Sequence, residues 1–304
     1  VASYPISDGP HNDAWKSLLG FSFAVIDEVT RKHNVSFPIQ IGGGSMLLRR
    51  YGHRKSKDLD LFVTDTRLAR WCSPRFNDTA ADLFPDYGED AVTTKLMIGM
   101  QEIDIVSAPP IVEEDATEEV VLNGRLVLVE RPREILAKKV VYRGRQFQPR
   151  DIFDMACIAQ AEPEEIGAIV PWLSIAHVTD LEARLNEMGP IIHKEIAQRV
   201  EAYPAFSRLY DTCLGVAKDV VGAWKTLIKP AVEPPPHPEG YRVAYSKDGR
   251  TVVIKNVDAA GRANRISNPL GPAMVSIDQG PRWYIDGEEL SESAWRQRVR
   301  TGKS

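Results

Sequence analysis

The sequence is poor in the residues that build several common kinds of functional site. It has three cysteines, Cys72, Cys157 and Cys213, scattered and without a C-x-x-C pair. That excludes a disulfide-stapled scaffold and a thiolate zinc centre, and suits a reducing compartment. The six histidines show no metal-ligand spacing. No apolar run approaches the ~20 residues a membrane span needs, so no membrane partner is expected. The opening stretch VASYPISDGPHNDAW lacks the basic-then-apolar layout of a signal peptide. The expected location is therefore the cytoplasm. Excess positive charge is missing too. The formal net charge is -4 and the pI about 5.9, so the chain is not a generic polyanion binder. Any nucleic-acid contact has to come from a local basic patch.

What remains is an ordinary globular composition, 43% hydrophobic and 26% charged, over a length sufficient for two domains. Apolar periodicity predicts an amphipathic helix over 12–33 and a short strand ending at Gln40-Ile41. A helix beginning at Ser45 and a strand over Asp58–Val63 follow. Residues 65–72 read as helical, and 73–90 give no clear pattern. Val92–Gly99 and Gln101–Val106 read as adjacent strands, and Arg125–Val129 as another. A helix opens at Pro132, where a missing N–H costs little, and runs through Tyr142. From Pro149 to about Leu227 the pattern is helical, with Trp172 and Trp224 as core residues. A proline-rich linker follows, and then short alternating segments ("RVAYS", "TVVIKNV", "RWYIDG") that read as a small antiparallel β module with a final helix. The expected division is 1–148, a helical lobe 149–228, a linker 229–240 and a module 241–304. The module's slight positive excess leaves it a solvated β surface on this reading.

The chemistry concentrates in GGGSMLLRRYGHRKSKDLDLF, Gly42 to Phe62. Side chains alternate along a strand, so Asp58 and Asp60 point the same way while Leu59 and Leu61 point into the core. Two carboxylates that close need a raised pKa or a cation between them, and hard oxygen donors suit Mg²⁺. A Gly43-Gly44-Ser45 turn entering a helix offers free N–H groups and the positive end of a helix dipole, a ready phosphate site. The same turn also reads as a plain strand-to-helix connection with Ser45 as N-cap. A third carboxylate comes from QEIDIVS, where Asp104 sits on an otherwise apolar strand. Arg54 and Ser56, in the loop before Asp58, either reach triphosphate oxygens or hold the loop.

A Gly-Ser turn, an Asp-Leu-Asp strand and a later Ile-Asp-Ile strand resemble the polymerase-beta-type nucleotidyltransferase superfamily. The fuller stretch GGSMLLRRYGHRKSKDLDLF, with EILAKKVVYRGRQFQPRDIFDMA, resembles the AbiEii/AbiGii nucleotidyltransferase toxin family. The resemblance covers roughly residues 14–160, and the helices to about 227 loosely. It implies an α/β core with a mixed sheet and a helical second lobe. It implies metal (Mg²⁺ or Mn²⁺) on Asp58, Asp60 and Asp104, with Asp104 helping to deprotonate the attacking hydroxyl and pyrophosphate leaving from an NTP. It assigns Gly43, Gly44, Ser45, Lys139 and Arg143 to the nucleotide, with Lys139 also catalytic, and Asp151 and Asp154 to supporting positions. Asp151 also reads as a helix-start carboxylate paired with Arg150, and Asp154 as the group that orients Lys139. Finally, the resemblance implies a toxin of a toxin–antitoxin or phage-defence pair, with a cognate antitoxin and the tRNA 3′ end as favoured acceptor. Arg143, Arg145 and Arg150 would be the landing surface. A protein or small-molecule hydroxyl, or a non-catalytic nucleotide-binding module, are the alternatives.

Overall fold

The computed structural model describes residues 14–228, 232–246, 249–257, 263–276 and 279–301. The first two residues of the expected opening helix and the first three of the proline-rich segment after Ile228 lie outside the described residues. The chain forms two compact units. One takes residues up to Trp172 together with Glu187–Val220; the other takes Leu173–Asn186 and Val221 onward.

The first unit is built on a seven-stranded mixed sheet. Its strands are β1 (Gln40–Gly42), β2 (Leu59–Val63), β3 (Asp86–Glu89), β4 (Thr93–Ile98), β5 (Gln101–Ser107), β6 (Thr117–Leu122) and β7 (Arg125–Glu130), in the spatial order β3-β4-β5-β2-β1-β7-β6. β2 runs parallel to β5, and β1 runs antiparallel to β2 and parallel to β7. Alternation sorts the side chains cleanly. Ile41, Leu59, Leu61, Leu96, Ile103, Ile105 and Val129 are buried on one face. There they meet α1 (Ala14–His33) and α3 (Thr66–Trp71). α1 earns its place by burying Leu18, Leu19, Val25, Ile26 and Val29 on a single side.

The other face carries the polar residues. Between β1 and β2 runs α2 (Gly43–Tyr51), which starts two residues before the expected Ser45 because the glycines themselves make its first turn. α5 (Pro132–Arg143) lies over this face, with the Lys138 ammonium 3.6 Å from the Phe62 ring centroid. The stretch 73–90, patternless in sequence, holds α4 (Asp78–Leu83) and β3. The Asn77 side chain caps α4 by accepting from Ala80 N at 2.8 Å. β6 was not expected either. It is an edge strand with Glu118 and Glu119 in it, so it has little apolar contrast to read.

The helical stretch comprises α6 (Pro149–Ala161), α7 (Pro163–Ala168), α8 (Ile175–Met188), α9 (Ile192–Arg199) and α10 (Leu209–Leu227). Pro149 opens α6, and Pro163 separates α6 from α7 by standing in the first turn of the latter. Trp224 is buried, whereas Trp172 is half-exposed. In the second unit, β8 (Arg242–Tyr245) to β13 (Glu288–Leu290) form an antiparallel sheet with β9 (Thr251–Val257) at its centre, followed by α11 (Glu292–Thr301). Val252, Ile254 and Tyr284 supply its core. The buried Asn268 amide donates to the carbonyls of Pro236 and Pro272, and the Trp295 indole donates to the Asn268 carbonyl. No described helix is long and apolar enough to cross a membrane.

Candidate active site

Register assembles the site. Asp60 on β2 lies opposite Asp104 on β5, and Asp104 lies opposite Lys95 on β4. On the other flank Asp60 pairs with Gly42 on β1. Polar side chains thus form a row across neighbouring strands, all on the face beneath α5. A cleft of about 250 Å³ opens there, lined by Gly43, Gly44, Ser56, Asp58, Asp60 and Asp104 from the sheet side and by Lys138, Lys139, Tyr142 and Arg143 from α5.

The three consecutive glycines answer to three different neighbours. A Cβ on Gly42 would lie 1.9 Å from Glu130 Oε2, and one on Gly43 would lie 1.7 Å from Asp60 Oδ2. One on Gly44 would lie 2.7 Å from Arg54 Nη2. Gly43 also has φ +71, in the left-handed region that side chains disfavour. The backbone can pass this close to the carboxylates only without side chains. Gly43→Ala is therefore expected to displace Asp60, cutting transfer activity by roughly 100-fold and stability by about 1–2 kcal/mol. Parallel activity assays and urea melts check both; near-normal activity would show that the approach is not needed.

The carboxylates carry the strain expected of their crowding. Burial, then the charge of Asp104, pushes the Asp60 carboxyl up to about 6. Burial also raises Asp58 and Asp104, the latter despite Lys95 Nζ at 3.2 Å from Asp104 Oδ1. Asp58 Oδ1 is buried with no hydrogen-bond partner, and Asp104 Oδ1 has no aligned one. Under-satisfied hard oxygen donors of this kind fit a divalent cation. Among the described residues, no three such groups stand close enough together to form a finished metal cage.

Around the row sits an ionic knot centred on Asp154, which is fully buried on α6. Arg54 donates to it twice, Nε to Oδ1 at 2.6 Å and Nη2 to Oδ2 at 2.8 Å. His53 Nε2 donates at 2.7 Å and Lys139 Nζ at 2.5 Å. Burial opposes the charge on Asp154, but Arg54, Lys139 and the His53 bond hold its carboxyl well below the usual carboxylate range. Burial keeps His53 neutral by lowering its pKa. Asp151 accepts from Lys139 at 2.8 Å and Arg143 at 2.6 Å, and caps its own helix by accepting from Gln148 N. The expected Asp151–Arg150 pairing is thus replaced by Lys139 and Arg143.

These bonds assign work to residues whose role the sequence left open. Of the two roles for Arg54, holding the loop is the one its contacts perform. The loop is further laced to the segment before α10 by Lys55 N to Glu201 O and Tyr203 N to His53 O. Ser45 Oγ donates to the Asp58 carbonyl and lies 3.0 Å from Ser56 Oγ, so the two serines tie the glycine turn to the aspartate strand. Lys139 and Arg143 face the cleft from one side of α5, and their charges favour ionisation of Asp60.

Several cleft residues escaped the sequence reading. Glu130 is buried at the end of β7, paired with Lys138, and burial raises its carboxyl to about 7. Glu102 lines the cleft beside Asp104, and Lys95, outside its lining, pairs with both. Lys95 was within reach of sequence reasoning. The two-residue connection Gly99-Met100, with Gly99 at φ +60, fixes the hairpin register that sets Lys95 opposite Asp104.

Residues 41–214 match the family model described as nucleotidyl transferase AbiEii toxin, type IV toxin–antitoxin system. Among solved structures, the chain is similar to JHP933 from Helicobacter pylori, at 12% identity and TM-score 0.43, covering 72% of this chain and 94% of that one. It is also similar to an antigenic nucleotidyltransferase-like protein from Paracoccidioides brasiliensis, at 16% identity and TM-score 0.31, covering 68% of this chain and 94% of that one. No curated protein matches.

Proposed function

The chain belongs to the AbiEii nucleotidyltransferase toxin family, and from that premise we propose that it transfers an NMP from an NTP to the 3′ end of tRNA, with pyrophosphate leaving. The observation that carries this reading is the placement of Gly43 against Asp60, with Asp104 in register beside it. A phosphate cradle and a carboxylate row in one cleft are what nucleotidyl transfer requires. Asp58, Asp60 and Asp104 would hold Mg²⁺ or Mn²⁺. When bound, such a cation supplies charge stabilisation at the α-phosphate and the leaving pyrophosphate.

The chain's own residues do the rest. No side chain caps the first turn of α2, so its N–H groups are available to the β- and γ-phosphates. Asp104, its basicity raised by burial, takes the proton of the attacking hydroxyl. Arg143 and Lys139 set positive charge beside the phosphates, braced by Asp151 and Asp154. Arg143, Arg145 and Arg150 form the landing surface for the acceptor's backbone. A cognate antitoxin would restrain the activity.

The test is a transfer gel with Mg²⁺, each α-labelled NTP in turn and total bacterial tRNA, beside an Asp58→Ala/Asp60→Ala control. The expected result is a labelled tRNA band that vanishes in the control. Label on protein or on a small hydroxylated acceptor would replace tRNA and leave the chemistry standing. No label on any acceptor, with no NTP bound, would overturn the reading.

A further inference from the structure

Among the described residues, Lys95 is the one cation in a direct ion pair with any of Asp58, Asp60 and Asp104. Of the cations lining the cleft, Arg150 acts on the aspartates only at longer range, and the rest are committed to other carboxylates. Lys139 and Arg143 are held by Asp151 and Asp154, and Lys138 by Glu130 and Glu134. Lys95 Nζ sits 3.2 Å from Asp104 Oδ1 and 2.9 Å from Glu102 Oε2, bridging the two. It is positioned for that by the β4–β5 register rather than by a loop. Glu102 lines the same cleft and raises the carboxyl of neighbouring Asp58 after burial does. Asp104 and Glu102 therefore share one ammonium group in direct contact, beside Asp58 and Asp60, which have no direct ion pair among the described residues.

Resting on the metal-dependent reading above, we propose that Lys95 is a positioning residue that competes with the divalent cation for Asp104, so that metal loads with the nucleotide rather than ahead of it. Lys95 offsets the charge of Asp104 while no dication is present. A dication on Asp104 would face the ammonium at close range, and like charges at that separation repel strongly. Lys95 then has to give up Asp104. It has somewhere to go, since Glu102 already holds it at the shorter distance and its side chain is 35% exposed on a flexible stem. The repulsion opposes a bare dication most. An NTP brings negative charge into the cleft with the metal, and that charge offsets the ammonium. Glu102 is thus the residue on which Lys95 parks when Asp104 is taken.

The experiment is a Mn²⁺ titration of the full chain followed by electron paramagnetic resonance, with and without an α,β-methylene NTP that cannot be transferred. Lys95→Met is expected to bind Mn²⁺ about ten-fold or more tightly than wild type without nucleotide. Lys95→Arg, which keeps the charge, is expected to track wild type. The gap between Lys95→Met and wild type is expected to narrow to about three-fold or less once the analogue is present. Glu102→Gln removes the parking carboxylate and is expected to weaken Mn²⁺ binding, a second readout should Lys95→Met fold poorly. Unchanged or weaker Mn²⁺ binding in a folded Lys95→Met would overturn the proposal and leave the metal centre intact. Equal binding by wild type and Asp60→Asn would instead remove the carboxylate row as a metal site, and the Lys95 competition with it.

Discussion

Asp60→Asn is expected to abolish nucleotidyl transfer, by on the order of a thousand-fold, while making the protein more stable. The two effects have one cause. Asp60 is held among Asp58, Asp104 and buried backbone, where the proposed chemistry calls for charge, and the fold bears the cost. Its carboxyl is pushed up to about 6, first by burial and then by Asp104, against an ordinary 3.8. A folded-state value above the unfolded one means that the folded protein binds the proton more tightly. The ionised group is therefore destabilising above pH 6, and the penalty fades as pH falls toward 4. Asparagine fills nearly the same space without the charge. Allowing for solvent reaching the cleft, the gain at pH 7.5 is of order 1–2 kcal/mol, a rise of about 2–8 °C in the melting transition. The advantage should shrink as pH is lowered and vanish near pH 4. Melting curves from pH 4 to 8 beside the transfer gel check both halves. A variant that loses activity and stability together, at every pH, would make Asp60 a structural residue.

How far the sequence carries this site depends on the kind of residue. Asp58, Asp60 and the glycines were legible because period-two alternation and a Gly-Gly-Ser turn are local signals. That Asp104 joins them on a neighbouring strand was expected from an isolated polar residue in an apolar run, and the parallel β2–β5 pairing places it level with Asp60. What the sequence could not supply was the demand on each glycine. Gly42 is required by Glu130, which is far away in sequence and lies one residue past the expected strand Arg125–Val129. The work done by Arg54 was equally hidden. A basic residue beside a phosphate loop invites a phosphate role, and only the α6 packing shows the Nε–Nη2 edge of its guanidinium held by Asp154 while Nη1 donates to the Lys55 carbonyl. The edge strand β6 was lost for a simpler reason. With half its surface in water, its pattern carries no strong contrast.

The ionic knot gives the largest expected effect on stability. Asp154→Asn is expected to destabilise the first unit by about 3–5 kcal/mol, because it leaves the Arg54 guanidinium buried without its counter-charge. Asparagine offers one accepting oxygen and no charge, where the two oxygens of the carboxylate accept from Arg54, His53 and Lys139 together. Lys139 keeps Asp151, so the loss falls mainly on the loop that carries His53, Arg54 and Ser56. That loop leads directly into Asp58, and activity should fall with stability. The pH dependence runs opposite to that of Asp60. With the Asp154 carboxyl held well below 3.8 in the fold, its stabilisation is complete above that value and is lost as pH drops through the folded pKa. Urea midpoints should therefore differ widely at pH 7 and draw together only as pH falls below 3.8 toward the folded pKa. The cost comes from an orphaned charge rather than from a missing contact, so removing both partners should be milder than removing one. Arg54→Leu/Asp154→Leu is expected to recover at least half of the stability lost in Asp154→Asn, though not the activity, since the loop loses its anchor. If the double variant were as unstable as the single one, the knot would be acting through packing, and the buried charge on Arg54 would not be what Asp154 is there to meet.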